Sequence, residues 1–341
     1  MSLLPTIAKI YENAYVALRL RKWVKEKKLI NDLQGAEVKD CSSIHSNWLV
    51  RETISHFTER SSTVYCAMLD VTRAFDGIWH SGLFKVMCDM GIDRKLWRII
   101  INSFQGYKCC VSIGGVNSEF FEPELGLHQG APFSMLGYCL FSEMLLRPLT
   151  KSQYSIHIQD ICLSCPAYAD DLTLIAVSAR GLQKLLDIVH DFSSKWRLSF
   201  NHTKCKILVY GTDRSSMTKF YLGQEEIERC TVHTHVGTVM SPYSKEITSY
   251  MKKKIDKCKQ ISYAIPAIGT KKAPVTPICS SHVFNSICIS KLLYGCEMMS
   301  FSSGLITEME SYQASVSKMF QGLPENACNL GAIHTMGWLS I

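Results

Sequence analysis

The hydrophobic pattern divides the chain into short elements whose period changes repeatedly. From residue 7 to residue 24, Ile7, Ile10, Tyr11, Ala14, Leu18 and Trp23 recur at the spacing of one helix face, and the run ends in the basic stretch KWVKEKK. A helix with a positive tail is predicted, with Lys9, Arg19 and Arg21 beside its packed face and away from any site. The apolar, β-branched run in TVYCAMLD stops at Asp70, as a buried strand does when it delivers a polar residue to its carboxyl end. Helical spacing returns over 83–90 and 96–104, and YKCCVSIGGVNSEFF reads as a hairpin turning at Gly114 and Gly115.

GLHQGAPFS is a Gly/Pro turn opening a helix over 134–149, and CPAYADDLTLIAVS reads as two short strands with paired aspartates at their turn. Leu182, Leu185, Leu186, Val189, Phe192 and Trp196 then keep a helical period, and KCKILVYG and KFYLGQEEI read as strands. Strand, two helices, hairpin, helix, hairpin, helix, strand is an α+β order in which helices cover one face of a largely antiparallel sheet. From about residue 244 the chain turns helical and basic, beginning with YMKKKIDKCK.

Composition adds little beyond this. With 341 residues, 47% of them apolar, the chain can bury a substantial core. A net charge of +7 permits a polyanionic partner without demanding one. The 15 cysteines are odd in number and follow no framework, so reduced thiols and an intracellular setting, nuclear or cytoplasmic, are expected. Cys162 and Cys165 form one CxxC, and Cys230, His233 and His235 are grouped, but no second pair repeats a zinc-ribbon spacing. Lys9 and Glu12 interrupt any signal peptide, and Glu143 breaks the apolar stretch MLGYCLFSEMLL well short of a membrane span.

The paired aspartates of AYADDLTLIA carry the chemistry. Adjacent carboxylates inside an apolar stretch repel each other and resist burial. If Asp70 ends a neighbouring strand, three carboxylates converge, an arrangement that cations make tolerable. Oxygen ligands of this hardness select Mg²⁺, which prefers a few carboxylates with water and phosphate oxygens. Phosphoryl transfer is the matching chemistry.

The ordered stretches LDVTRAFD, GLHQGAPFS, YADD, NHTKCKILVYG and YLGQEEI resemble the reverse transcriptase palm, and specifically the polymerase region of non-LTR (LINE-type) retrotransposons. LLPTIAKIYENAYVALRLRKW and LQGAEVKDCSS look like the fingers of these polymerases, while KLLYGCEMM and LPENACNLGAIHTMGWLSI resemble the region after their palm. The resemblance implies a right-hand polymerase with partial fingers over 1–60, a palm over 61–215, a primer-grip hairpin over 216–243 and a helical, thumb-like region over 244–341. It implies RNA-directed DNA synthesis, with RNA template, DNA primer and dNTPs as partners, two Mg²⁺ ions as cofactors with Mn²⁺ as a substitute, and no membrane association.

Residue by residue, Asp70 resembles the motif A aspartate and Asp170 the first motif C aspartate, with Asp171 supporting them and the Val71 carbonyl adding a metal ligand. Phe75 matches the aromatic that lies under the incoming sugar and rejects a 2′-hydroxyl, whereas Asp76 is expected to be a turn or cap residue. Gln129 and Gly130 resemble motif B, contacting nucleotide and template, and Tyr168 and Ala169 the pair preceding the aspartates. Lys204 resembles the motif D lysine that protonates the leaving pyrophosphate. Tyr221, Leu222 and Gly223 resemble the primer grip, and Lys252, Lys253, Lys254, Lys257 and Lys259 stand where a thumb contacts phosphates.

The likeness opens at SLLPT, downstream of the family's basic Arg-Pro-Ile-Ser stretch, so N-terminal truncation and weak nucleotide binding are expected. Ala36 and Glu37 replace a Gly and an aromatic, which weakens an expected template contact. No stretch reads as an endonuclease or RNase H domain, so target nicking is not expected of this chain. The alternative is a catalytically weak remnant that binds RNA or protein.

Overall fold

The computed structural model describes residues 6–128, 130–212, 217–266 and 275–340. They fold into two compact units, 1–230 and 231–341.

The first unit begins with α1 (Thr6–Glu12) and α2 (Leu18–Lys27), joined by a π-helical turn at Asn13–Ala17. The buried residues here are Glu12, Val16, Ala17, Leu20 and Val24, whereas Ile7, Ile10, Tyr11, Ala14 and Leu18 are exposed. This reverses the face predicted from sequence, Trp23 alone of that set being partly buried against the core. Two physical causes act together. The wide π turn breaks the 3.6-residue period, and Glu12 must face inward to accept the Phe133 N–H at 2.8 Å.

A helix that the apolar pattern did not announce, α3 (Ser43–Thr58), follows, closed at its start by a Ser42–His45 capping box. Next comes β1 (Val64–Asp70), buried at every position except Asp70, which explains why its sequence is a continuous apolar run and not an alternating one. After α4 (His80–Asp89) and α5 (Arg94–Phe104), the short strands β2 (Ser112–Ile113) and β3 (Val116–Asn117) flank Gly114 and Gly115, whose φ of 58° and 85° make the tight turn. The helix α6 (Ser134–Thr150) carries Leu140 and Phe141 into the centre of the core.

A small hairpin, β4 (His157–Ile158) with β5 (Ile161–Cys162), precedes β6 (Ala167–Tyr168) and β7 (Asp171–Ala176). Helix α7 (Ala179–Trp196) buries Leu182, Leu185, Leu186 and Val189, the row its spacing predicts. Then come β8 (Lys206–Tyr210) and the hairpin β9 (Phe220–Leu222) with β10 (Glu225–Ile227). The main sheet has the order β6-β7-β1-β8 with every pair antiparallel, and α7 packs against β7 and β1. This is the right-hand polymerase palm, an antiparallel sheet backed by helices in an α+β fold.

The second unit pairs β11 (His233–His235) with β12 (Thr238–Met240) and continues through α8 (Ser244–Ala264), α9 (Pro277–Val283), α10 (Ser290–Leu293), α11 (Ser303–Gln321) and α12 (Asn329–Thr335). Its own core gathers Met251, Ile255, Phe284, Leu292, Tyr312 and Trp338. On α8, Lys254 departs from the phosphate-contacting role expected of it: it is buried, and its ammonium donates to the Tyr294 carbonyl at 3.0 Å. Lys252 and Lys259 pair with Glu308 and Asp256, and Lys253 and Lys257 are exposed. Among the described residues no helix is long and apolar enough to cross a membrane.

The reversed face of α2 makes a direct prediction. Leu20→Ala should cost about 2–5 kcal/mol in urea unfolding, because it empties a fully buried site, while Leu18→Ala should cost less than about 0.5 kcal/mol. Comparable losses at the two positions would contradict the observed packing.

Candidate active site

The site forms where β1 ends. In the β1–β7 register Asp70 stands opposite Asp171, so the two side chains share one face of the sheet. Tyr168 pairs with Asp171 across the β6–β7 hairpin, leaving Ala169 and Asp170 as its two-residue turn. Ala169 is nearly buried and sits at φ 55°, the left-handed conformation that a turn this tight imposes.

Crowding shows in the electrostatics. Burial pushes the Asp170 carboxyl above the usual carboxylate range, and repulsion from Asp70 adds to it, while Lys204 works the other way. Burial, then Asp170 and Asp70, lifts Asp171 to about 6. Lys204 Nζ lies 3.5 Å from Asp70 Oδ2, with the lysine side chain mostly in solvent, so the ion pair is screened and weak. Fully buried Tyr138 lies close enough that Asp170 and Asp171 reinforce the burial that holds its hydroxyl protonated.

Beyond Asp70 the strand runs on. Asn201 N–H donates to the Asp70 carbonyl at 2.9 Å and Thr72 N–H to the Ser199 carbonyl at 2.8 Å, with Val71 opposite Phe200 between them. In an antiparallel ladder that makes Val71 and Phe200 a non-hydrogen-bonded pair, so the Val71 carbonyl points to the opposite edge, where the Ala169–Asp170 turn lies.

The other predicted residues divide into two groups. Phe75 is half-buried and stacked on Tyr138, ring centroids 5.1 Å apart, which ties it to the aspartates through that ring. Asp76 is exposed, and its backbone runs so close to Gly126 that a Cβ there would come within 3.1 Å of the Asp76 carbonyl. Gly130 has φ 73° and lies beside Lys9, whose Nζ would be 3.8 Å from a Cβ placed there. Gln129 lies outside the described residues. The hairpin of Tyr221, Leu222 and Gly223 is anchored elsewhere. Gln183 on α7 holds Tyr221 through both its N–H and its carbonyl, at 3.0 and 2.9 Å, and Phe220 packs on Tyr65 with centroids 5.8 Å apart. Tyr65 is five residues before Asp70 along β1, about 16 Å by strand rise.

Several contributors were not visible in the pattern. Glu12 and Arg21 hold the turn after Gly130: Arg21 Nη2 donates to the Pro132 carbonyl at 3.3 Å, and its Nε lies 3.2 Å from Glu37 Oε2. Lys9 and Arg21 therefore reach the motif B turn, correcting the expectation that they stand apart from the site; the inverted helix face is the cause. Gln34, fully buried, donates through Nε2 to the Ala169 carbonyl at 3.1 Å and accepts the Ala169 N–H at 2.7 Å. Its signal in the sequence is only an amide between Leu33 and Gly35, and its partner is 135 residues away.

Among the described residues no three His, Cys, Asp or Glu side chains close into a ready-made metal cage. Mg²⁺ sites that share phosphate oxygens and water need only one or two carboxylates, and the oxygen-only donor set here is of that kind.

Residues 1–228 match the family model described as reverse transcriptase (RNA-dependent DNA polymerase). The chain belongs to the reverse transcriptase family. It is 31% identical over 185 residues to the Retrovirus-related Pol polyprotein from type-2 retrotransposable element R2DM of Drosophila melanogaster, covering 52% of this chain and 17% of that protein. To the RNA-directed DNA polymerase from mobile element jockey of the same organism it is 21% identical, covering 76% and 28% respectively. The chain thus spans well under a third of the length of these relatives. In fold it is similar to telomerase from Candida albicans, solved in complex with a TWJ fragment of telomeric RNA, with a TM-score of 0.52 and 10% identity over 98% of this chain and 60% of that one. Reverse transcriptases work with divalent metal ions.

The lifted Asp171 carboxyl predicts a pH-dependent stability. The folded state holds this proton more tightly than the unfolded chain, so its ionisation penalises the fold fully above about pH 6 and not at all below about pH 4. Without divalent ions, Asp171→Asn should stabilise the chain at pH 8 by on the order of 1–2 kcal/mol, allowing for partial exposure, and give no gain at pH 4. Thermal unfolding at the two pH values measures this; an equal gain at both would locate the effect outside the carboxyl charge.

Proposed function

We propose that this chain is the polymerase core of a non-LTR retrotransposon reverse transcriptase, adding dNTPs to a primer 3′-hydroxyl on an RNA template. The observation that carries the reading is the β1–β7 register, which sets Asp70 opposite Asp171 with Asp170 in the adjoining turn.

Asp70 and Asp170, with the Val71 carbonyl, would hold two Mg²⁺ ions, and Asp171 would add negative charge behind them. Bound there, the ions supply activation of the primer hydroxyl and neutralisation of the leaving pyrophosphate. The chain's own groups do the rest. Lys204, exposed and beside Asp70, is free to turn from that carboxylate toward the pyrophosphate and donate a proton. Phe75, backed by Tyr138, presents a rigid ring under the incoming sugar. The turn around Gln129 and Gly130 would meet the nucleotide and template, with Lys9 near Gly130 adding positive charge. Tyr221, Leu222 and Gly223 would grip the primer from the hairpin docked on α7.

Replacing Asp170 with Asn keeps shape and removes charge. Primer extension with Mg²⁺ on a primed RNA template should fall by at least about 100-fold while cooperative unfolding persists; undiminished extension would defeat the polymerase reading.

Phe75→Val should open room for a ribose 2′-hydroxyl. The ratio of kcat/KM for ribonucleotides to that for deoxyribonucleotides should rise roughly tenfold or more, because steric exclusion acts on differential transition-state binding. A constant ratio would make Phe75 a packing residue of Tyr138.

A further inference from the structure

We propose that Gln34 is a positioning residue for nucleotide transfer: its side-chain amide clamps Ala169 and thereby sets where Asp170 stands. The proposal rests on the polymerase reading of the carboxylate site and goes beyond it by assigning the turn's geometry to a residue of the 29–37 loop.

A two-residue turn in an ordinary hairpin is held by its own strands. Here β6 is only two residues long, and its turn includes an alanine at φ 55°, a conformation that L residues other than glycine, Asn and Asp seldom adopt. The turn needs outside support, and Gln34 supplies it. Oε1 accepts the Ala169 N–H at 2.7 Å, and Nε2 donates to the Ala169 carbonyl at 3.1 Å, so both backbone groups of the strained residue are engaged by one side chain. A neutral amide offers an acceptor and a donor at that spacing; a flipped amide would set donor against donor and acceptor against acceptor. Because Gln34 is fully buried and Ala169 nearly so, water cannot replace either bond.

The clamp is rigid because its own backbone is held. Ala167 N–H donates to the Leu33 carbonyl at 2.8 Å and Gly35 N–H to the Ala167 carbonyl at 2.9 Å, which lays residues 33–35 along β6. Glycine suits the close packing at Gly35, since a Cβ there would collide with Ser46 Oγ and touch the Tyr168 ring. Farther along the loop, Asn31 N–H donates to Glu143 Oε1 at 2.6 Å and Arg147 to the Leu29 carbonyl at 3.1 Å, fixing it to α6. Asp170 follows Ala169 directly, so rotation of the Ala169 backbone would swing its carboxylate out of register with Asp70. Loss of the clamp should therefore reduce the rate of transfer and leave substrate binding nearly intact.

Two measurements test this. In the wild-type chain, the Ala169 amide should exchange with solvent at least 100-fold more slowly than an unprotected turn amide; rapid exchange would overturn the clamp without any reference to catalysis. In primer extension, Gln34→Met, which keeps length and packing but loses both bonds, should lower kcat at least tenfold, with dNTP KM and primer–template affinity within twofold of wild type. Adding Ala169→Gly, which makes the left-handed turn intrinsically accessible, should recover at least threefold of that kcat. Unchanged kcat in Gln34→Met, or equal losses in kcat, KM and affinity without recovery by Ala169→Gly, would reduce Gln34 to a core contact. If Gln34→Met does not unfold cooperatively, Ala169 exchange in the wild-type chain decides. Extension by an Asp170→Asn chain would instead overturn the polymerase reading, while Ala169 protection would still report on the clamp.

Discussion

The partial burial of neighbouring carboxyl groups, Asp170 and Asp171 beside Asp70, is the constraint around which the first unit is built. Burial first, and the charge of the neighbouring carboxylates after it, pushes the Asp170 and Asp171 carboxyls upward, so ionising them side by side is unfavourable. A flexible loop would relieve that strain by letting them drift apart. The scaffold prevents this: β1 is buried on both faces and paired on both edges, so the position of Asp70 is not adjustable, and the β1–β7 ladder carries Asp171 to the opposite position. Charge crowding is thus stored in the fold and is available to draw in divalent cations.

The same logic explains why distant segments converge on this end of the sheet. Residues 33–35 extend the β6 edge, Glu143 and Arg147 on α6 hold the adjoining loop, and Glu12 and Arg21 on the N-terminal helices hold the turn at 132–133. Glu12, Arg21, Glu143 and Arg147 each use a buried or half-buried polar side chain to fix loop or turn backbone groups. Polar residues in the interior are expensive unless satisfied, and in this unit several of them are spent on loops that flank the carboxylates.

Much of the architecture was legible because it depends on local pattern. The apolar run ending at Asp70, the helical row from Leu182 to Trp196 and the glycines at 114–115 each state their element within a few residues. The aspartate pair was legible as chemistry because burying it has no ordinary structural purpose. What escaped the pattern depends on long-range partners. The outward face of α1 and α2 was misread because the bond from Phe133 to Glu12 and a π turn, not apolar periodicity, orient those helices. Lys254 looked like one of a basic run placed to meet phosphates, yet the second unit buries its stem and caps its ammonium with the Tyr294 carbonyl. Gln34 carried no local signal at all, since a lone amide between Leu and Gly is as ordinary on a surface as in a clamp.

The central claim is that Asp70 and the Ala169–Asp171 turn hold metal ions jointly, and iron-mediated backbone cleavage tests it most directly. Fe²⁺ substituted for Mg²⁺ and treated with ascorbate and peroxide generates hydroxyl radicals at the bound ion, which cut only nearby backbone. The account predicts two principal cuts in the same chain, one around residues 70–71 and one around 169–171, both suppressed by excess Mg²⁺. Cleavage at one of these segments without the other, or cuts elsewhere that Mg²⁺ does not suppress, would contradict a shared site.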